Sequence, residues 1–102
     1  MAKKLPLITP GEILLEEFLQ PLGVTQSQLA KDINVPANRV NQIIHGKCEI
    51  TADTALRLGK YFGNEPEFWM NLQVHYSIEL AQEKAGRQID TEVKVLQPRV
   101  PY

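Results

Sequence analysis

The stretch "LAKDINVPANRVNQIIHG", residues 29–46, narrows most sharply what this chain can become. Two short apolar runs at helical spacing flank Asn34, a residue that tolerates the left-handed backbone of a tight turn. Ala30 is small where a larger apolar residue would bury more surface. Two helices joined steeply over a three- or four-residue turn bring their backbones together near the crossing, and only a small side chain fits there. Leu29, Ile33, Val35, Val40 and Ile43 then share one buried register around it. The spacing supports two uses: a hairpin that serves packing alone, or a pair that presents its second helix to duplex DNA.

The flanks supply further helices. Thr9, Pro10 and Glu12 form a capping box with proline at the first helical position. Leu14, Leu15 and Phe18 are the expected apolar face, and "QPLG" (20–23) is the expected end, since Pro21 disfavours helix at the residue before it. Thr25 and Gln28 repeat the box for a second helix. A third is expected from about Pro36 to His45, closed by Gly46. Thr51 caps a fourth that carries Ala55, Leu58 and Phe62 before Gly63. A fifth starts near Pro66 and is expected to stop at about Ala85, before Gly86. Its Phe68, Trp69, Leu72, Tyr76 and Leu80 recur at three and four, as core residues do. "IDTEVKV" (89–95) alternates at a period of two and reads as extended chain. The organisation expected is an arm over 1–8, a domain over 9–86 and a tail over 87–102.

Composition excludes more than it suggests. At 102 residues, 43% hydrophobic and 23% charged, the chain suits one soluble domain. A single cysteine, Cys48, forbids an internal disulfide and fits a reducing cytoplasm. One Cys with two scattered His (His45, His75) cannot build a four-ligand zinc site, and no cofactor is expected. No apolar run approaches the roughly 20 residues that span a bilayer. The N-terminus lacks the apolar core of a signal peptide. Glu79 and Glu83 lie one helical turn apart without a His, Ser or Cys partner, so no catalytic residue is expected. Net charge is −1; any basic surface must be local.

The third helix provides that local surface. Val40 and Ile43 define its buried side, and the opposite arc collects Asn38, Asn41, Gln42 and His45, with Ala37 at the edge and Arg39 on the flank. Nothing on the arc is acidic. Neutral amides replace the Glu and Lys of an ordinary solvated face, and Asn and Gln pair bidentately with adenine in the major groove. The first N–H groups of the second helix, at Gln26 and Ser27 behind Thr25, favour a phosphate. Gln26 adds a side-chain donor, and Arg39 and Lys47 are the candidate charged phosphate contacts. Between Thr25 and Lys47 stand three basic residues (Lys31, Arg39, Lys47) and one acid (Asp32). Lys3 and Lys4 suit either a solubilising terminus or a minor-groove arm.

These residues carry a resemblance. "TQSQLAKDINVPANRVNQIIHGK" resembles the helix-turn-helix of the phage-repressor (XRE-like) class. "TPGEILLEEFLQPLGVT" before it and "ITADTALRLGKYFGNEPEFWMNLQVHYSIELA" after it look like the HigA/VapI antitoxins, or plasmid-maintenance antidotes. The resemblance implies an all-α, five-helix, lambda-repressor-like domain with a short extended C-terminal tail. It implies a cytoplasmic homodimer that binds operator DNA and silences a small HigB-like toxin; the alternative is a stand-alone regulator without a toxin. Base contacts would fall on Ala37, Asn38, Asn41 and Gln42. The resemblance puts Arg39 beside the base contacts and the phosphate-anchoring role on Gln26; the helix start and the local charges add Thr25, Ser27, Arg39 and Lys47 as expected phosphate contacts. Asn34, Pro36 and Cys48 depart from the usual glycine, hydroxyl and basic residues at their positions.

Overall fold

In a computed structural model of the chain, residues 7–97 are described; Lys3, Lys4 and the end of the tail from Pro98 lie outside them. All regular structure among the described residues is helical. The elements are α1 (residues 10–22), α2 (Gln26–Ile33), α3 (Ala37–Ile44), α4 (Ala52–Phe62) and α5 (Pro66–Glu92). Within α1, Pro10–Ile13 is α-helical, Leu14–Leu19 forms a π-helical turn and Gln20–Leu22 closes it.

The π turn corrects the expected end of α1. Gln20 is helical (φ −65°, ψ −50°) and donates to Leu15 O, five residues back. Pro21 lacks an N–H, and its ring strikes the carbonyl four residues earlier in a regular helix. Wider turns move that carbonyl aside, so α1 continues to Gly23, whose φ of 68° ends it. The turn also resets the apolar register. Leu14 and Leu19, five apart, are both fully buried, while Leu15 and Phe18 are half-buried.

Side chains cap the helices where the sequence suggests, with one shortfall. Thr9 accepts from Glu12 N (3.1 Å), and Glu12 reaches back to Thr9 N (3.3 Å). Thr25 likewise accepts from Gln28 N (3.0 Å). The second box stays half-made, because Gln28 Nε2 turns to Asp32 Oδ1 (2.7 Å). Pro36 is the N-cap of α3 rather than its first residue and offers no side-chain cap. At the far end Gly46 (φ 74°) and Lys47 donate back to Ile43 O and Gln42 O, a closure that needs the left-handed residue.

One core joins all five helices: Leu14 and Leu19, Leu29, Ala30 and Ile33, Val40, Ile43 and Ile44, Ile50 with Ala55 and Leu58, and Trp69. Ile44, near the edge of the α3 wheel, therefore belongs to the interior. Trp69 is wholly buried and its indole N–H donates to Asn64 Oδ1 (2.9 Å). The Phe18 ring lies 4.8–5.8 Å from those of Trp69, Phe62 and Phe68. Buried Gln73 accepts from Ile50 N (2.9 Å) and donates to Ser77 Oγ (3.1 Å), fixing α5 to the segment that follows α3.

The second correction concerns α5, which passes Ala85 and Gly86 and ends at Glu92. A glycine inside a helix costs only about 1 kcal/mol. Beyond it, Gln88 Nε2 donates to Glu92 (2.9 Å) and Thr91 Oγ1 to Arg87 O (3.0 Å), each one turn apart. The residues from Ile89 to Glu92, expected to be extended, are thus helical; the extended tail begins at Val93 (φ −96°, ψ 125°).

The tightest contact seats α3 on α1. A Cβ built on Gly11 would lie 2.0 Å from Ile43 O and 2.7 Å from Ile44 Cα. Both are backbone atoms at the end of α3 and cannot swing aside. Exchanging glycine for alanine inside a helix ordinarily gains about 0.5–1 kcal/mol. Here overpacking, about 1–3 kcal/mol or more, outweighs that gain. Gly11→Ala is expected to lower unfolding free energy by at least about 1 kcal/mol in urea titrations; an unchanged midpoint would contradict the seat.

Candidate nucleic-acid interface

The candidate surface is the outer side of α3 and the start of α2. Val40, Ile43 and Ile44 turn inward. Ala37, Asn38, Arg39, Asn41, Gln42 and His45 are all exposed. The side-chain amides of Asn38 and Gln42 make no hydrogen bond among the described residues. Ala30, 4% exposed, lies at the α2–α3 junction, where Asn34 takes the left-handed conformation (φ 58°, ψ 50°). Val35 N then donates to Ala30 O (3.0 Å), which closes the turn. The sequence thus places a row of amides on a rigid helix rather than on a loop.

The structure brings the two halves of the surface together through a bond that spacing alone does not reveal. Asn41 Nδ2 donates to Gln26 Oε1 (3.2 Å), linking the middle of α3 to the first residue of α2. Gln26 is half-buried and keeps its own Nε2 for another acceptor. Thr25 and Ser27 beside it are exposed. The first-turn N–H groups of Gln26 and Ser27 lie beyond the reach of any intrahelical carbonyl. His45 closes α3 with Nδ1 against Asn41 O (2.9 Å). A carbonyl only accepts, so Nδ1 carries the proton. Arg39 and Lys47 are exposed at either end of the row.

Behind this surface, α4 holds α2 in place through polar contacts that the sequence alone left unassigned. Arg57 donates to Ile33 O (2.9 Å), the last carbonyl of α2, and pairs with Asp53 (2.6 Å). Tyr61 donates its hydroxyl to Asp32 Oδ2 (2.7 Å), while Gln28 occupies the other oxygen. The one acid among the basic residues of α2 and α3 is therefore drawn toward α4. The signal was present only as Asp32 at i+4 from Gln28; the Tyr61 partner lies 29 residues away. Among the described residues, no cluster of His, Cys, Asp and Glu could hold a metal ion, and no helix is long and apolar enough to cross a membrane.

Comparisons with known proteins agree with this geometry. A family model described as helix-turn-helix matches residues 15–69. The structure of Pseudomonas aeruginosa antitoxin HigA with the higBA promoter superimposes with a TM-score of 0.86 at 42% identity, covering 90% of this chain and all of that one. An addiction module antidote protein of the HigA family from Coxiella burnetii superimposes with a TM-score of 0.84 at 49% identity, again over 90% of this chain and all of that one. Virulence-associated protein I of Dichelobacter nodosus is 45% identical over 78% of this chain and 74% of its own length.

The Tyr61–Asp32 bond has a pH signature. The hydrogen bond first, then desolvation and the carboxylate charge, raise the phenol above its ordinary value of 10. A raised value means the contact stabilises the fold fully below pH 10 and is lost as pH rises through the shifted value. Ultraviolet titration is expected to show a tyrosinate component later than free tyrosine, absent in Tyr61→Phe. Superimposable titrations of the two proteins, after allowing for one fewer ring, would count against the bond.

Proposed function

Given that the chain belongs to the XRE-type helix-turn-helix family, within its HigA/VapI antitoxin group, we propose that it is the antitoxin of a type II toxin–antitoxin module. In this reading it binds the operator of its own operon as a homodimer and neutralises a HigB-like toxin. The observation that carries the DNA-binding half is the pair of exposed amides on α3, Asn38 and Gln42, without a hydrogen bond among the described residues and beside free helix-start donors. Neutral amides suit base edges, and cations and N–H groups suit phosphates.

Roles follow from that arrangement. We assign base reading to Asn38 and Gln42, with Ala37 placed to meet a thymine methyl. Asn41 borders the bases and also orients Gln26, whose free Nε2 joins Thr25, Ser27, Arg39 and Lys47 on the phosphates. One such helix reads only a few base pairs, which is the physical case for a dimer on two half-sites about 34 Å apart. The toxin half of the proposal rests on the relatives: the Pseudomonas protein named HigA was captured on a higBA promoter. The proposal predicts a reading frame for a small basic protein next to the one that encodes this chain.

Substitutions separate the two kinds of contact. Asn38→Ala or Gln42→Ala is expected to cost about 1–3 kcal/mol on the matched operator and to relax base preference. Lys47→Ala should weaken binding on every sequence and lower the salt slope by about one. Gel shifts of specific and random DNA across a salt series measure both; equal losses on the two DNAs for Asn38→Ala would rule out base reading. Co-expression with the adjacent reading frame should yield a co-purifying complex and restore growth. Operator binding without rescue would leave a stand-alone regulator.

A further inference from the structure

The exposed row of α3 ends on an imidazole. Positions 38, 42 and 45 recur at four and three, so His45 stands one turn beyond Gln42 on the same face. Its ring is held in place. The His45 backbone N–H (3.1 Å) and Nδ1 (2.9 Å) both donate to Asn41 O, where the last carbonyls of the helix run out of helical donors. Asn41 is also the residue whose amide holds Gln26 (3.2 Å), so the imidazole shares the frame of both halves of the surface. With the proton of the neutral ring on Nδ1, Nε2 carries only a lone pair and accepts without donating. Among the described residues Nε2 has no hydrogen-bond partner and His45 makes no ion pair.

The titratable groups around it come from several elements. Lys47, Cys48 and Glu49 follow it in the chain. From α1, Thr9 adjoins Gly46, where an added Cβ would lie 3.4 Å from Thr9 Cγ2, and Glu12 is bound to Thr9 N (3.3 Å). From α5, Tyr76 lines the same hollow as Gly46 and Lys47. The side chain of α2 that reaches α3 is the uncharged Gln26, and Asp32 is held by Gln28 and Tyr61 on the side of α4.

We propose that His45 couples DNA binding to proton uptake. In the complex the ring takes one proton from solvent onto Nε2 and donates it to a backbone phosphate oxygen. The neutral ring turns a lone pair toward that oxygen and makes no bond. The inference rests on the operator reading above. Three observations carry it: the place of His45 on the amide row, the commitment of Nδ1 to Asn41 O, and the open Nε2 near the exposed cation Lys47. Imidazole is the side chain whose charge ordinarily changes between pH 5 and 8, and the carbonyl end of a helix favours its cation. The sign follows from linkage. The bound state holds more protons, so affinity rises as pH falls through this range and levels off once the free protein is also protonated.

The test uses the full chain and fluorescence anisotropy on operator and random duplexes. Between pH 8 and pH 6 at fixed salt, wild-type affinity for the operator is expected to rise about tenfold or more. The salt slope should steepen by about one per subunit on acidification. Random DNA should show the same response, because a phosphate carries no sequence. His45→Gln should lose the response, His45→Lys should bind tightly at both pH values, and His75→Gln, altered at an exposed position of α5, should behave as wild type. Two measurements on the unaltered chain stand even if a His45 variant fails to fold. Calorimetry in two buffers of different ionisation heat should count proton uptake on binding, and the His45 ring proton resonances should titrate at higher pH with DNA than without. A pH response kept by folded His45→Gln, zero proton uptake, or identical His45 titrations overturns the proposal. So does a response confined to the operator or one without a change in salt slope. Operator binding that ignores pH removes this inference and leaves the operator reading intact; no DNA binding at pH 6 and low salt removes both.

Discussion

The constraint on which the rest depends is the approach of two backbones at Gly11. Helix α3, eight residues long, has too few internal hydrogen bonds to hold its own orientation. Its position must be imposed from outside. The start of α1 meets the carbonyl and Cα atoms at the end of α3 with no side chain between them, and buried Ala30 accepts from Val35 N across the turn from α2 to α3. Gly46 and Lys47 then close α3 by returning to Ile43 and Gln42. Fixed at both ends, α3 presents its outer row as a rigid edge, the condition under which amide hydrogen bonds discriminate between bases.

The polar bonds around that edge divide the labour. Asn41 and Gln26 tie α3 to the start of α2, so the two surfaces share one frame. Arg57 and Tyr61 anchor the far end of α2 and draw Asp32 toward α4. Gln73 performs a similar service for α5, joining it to Ile50 in the segment that follows α3. Each of these bonds is long-range in sequence, and the buried one from Ile50 N to Gln73 satisfies a group that would otherwise lose its water.

Two helix ends show where local rules yield to their surroundings. Pro21 is a sound stop signal for a regular helix, but the π turn before it removes the steric conflict and lets Leu19 join Leu14 in the core. Gly86 is a weaker signal, because its cost is small beside the pairings made by Gln88, Thr91 and Glu92. The alternation of "IDTEVKV" is equally compatible with one side of a helix over its first half. In both regions the sequence states a preference worth about 1 kcal/mol or a clash that geometry can relieve, and neither is decisive alone.

The sequence by itself determined the capped starts of α1, α2 and α4, the left-handed positions at Asn34 and Gly46, the small residue at the crossing and the uncharged arc of α3. All of these follow from periodicity and from backbone preferences within a few residues. Only the tertiary structure decided that Gly11 is a seat, that Asn41 holds Gln26 and that Ile44 is interior. Those depend on residues separated by 15 to more than 30 positions, and a one-dimensional pattern carries no record of which of its faces will meet.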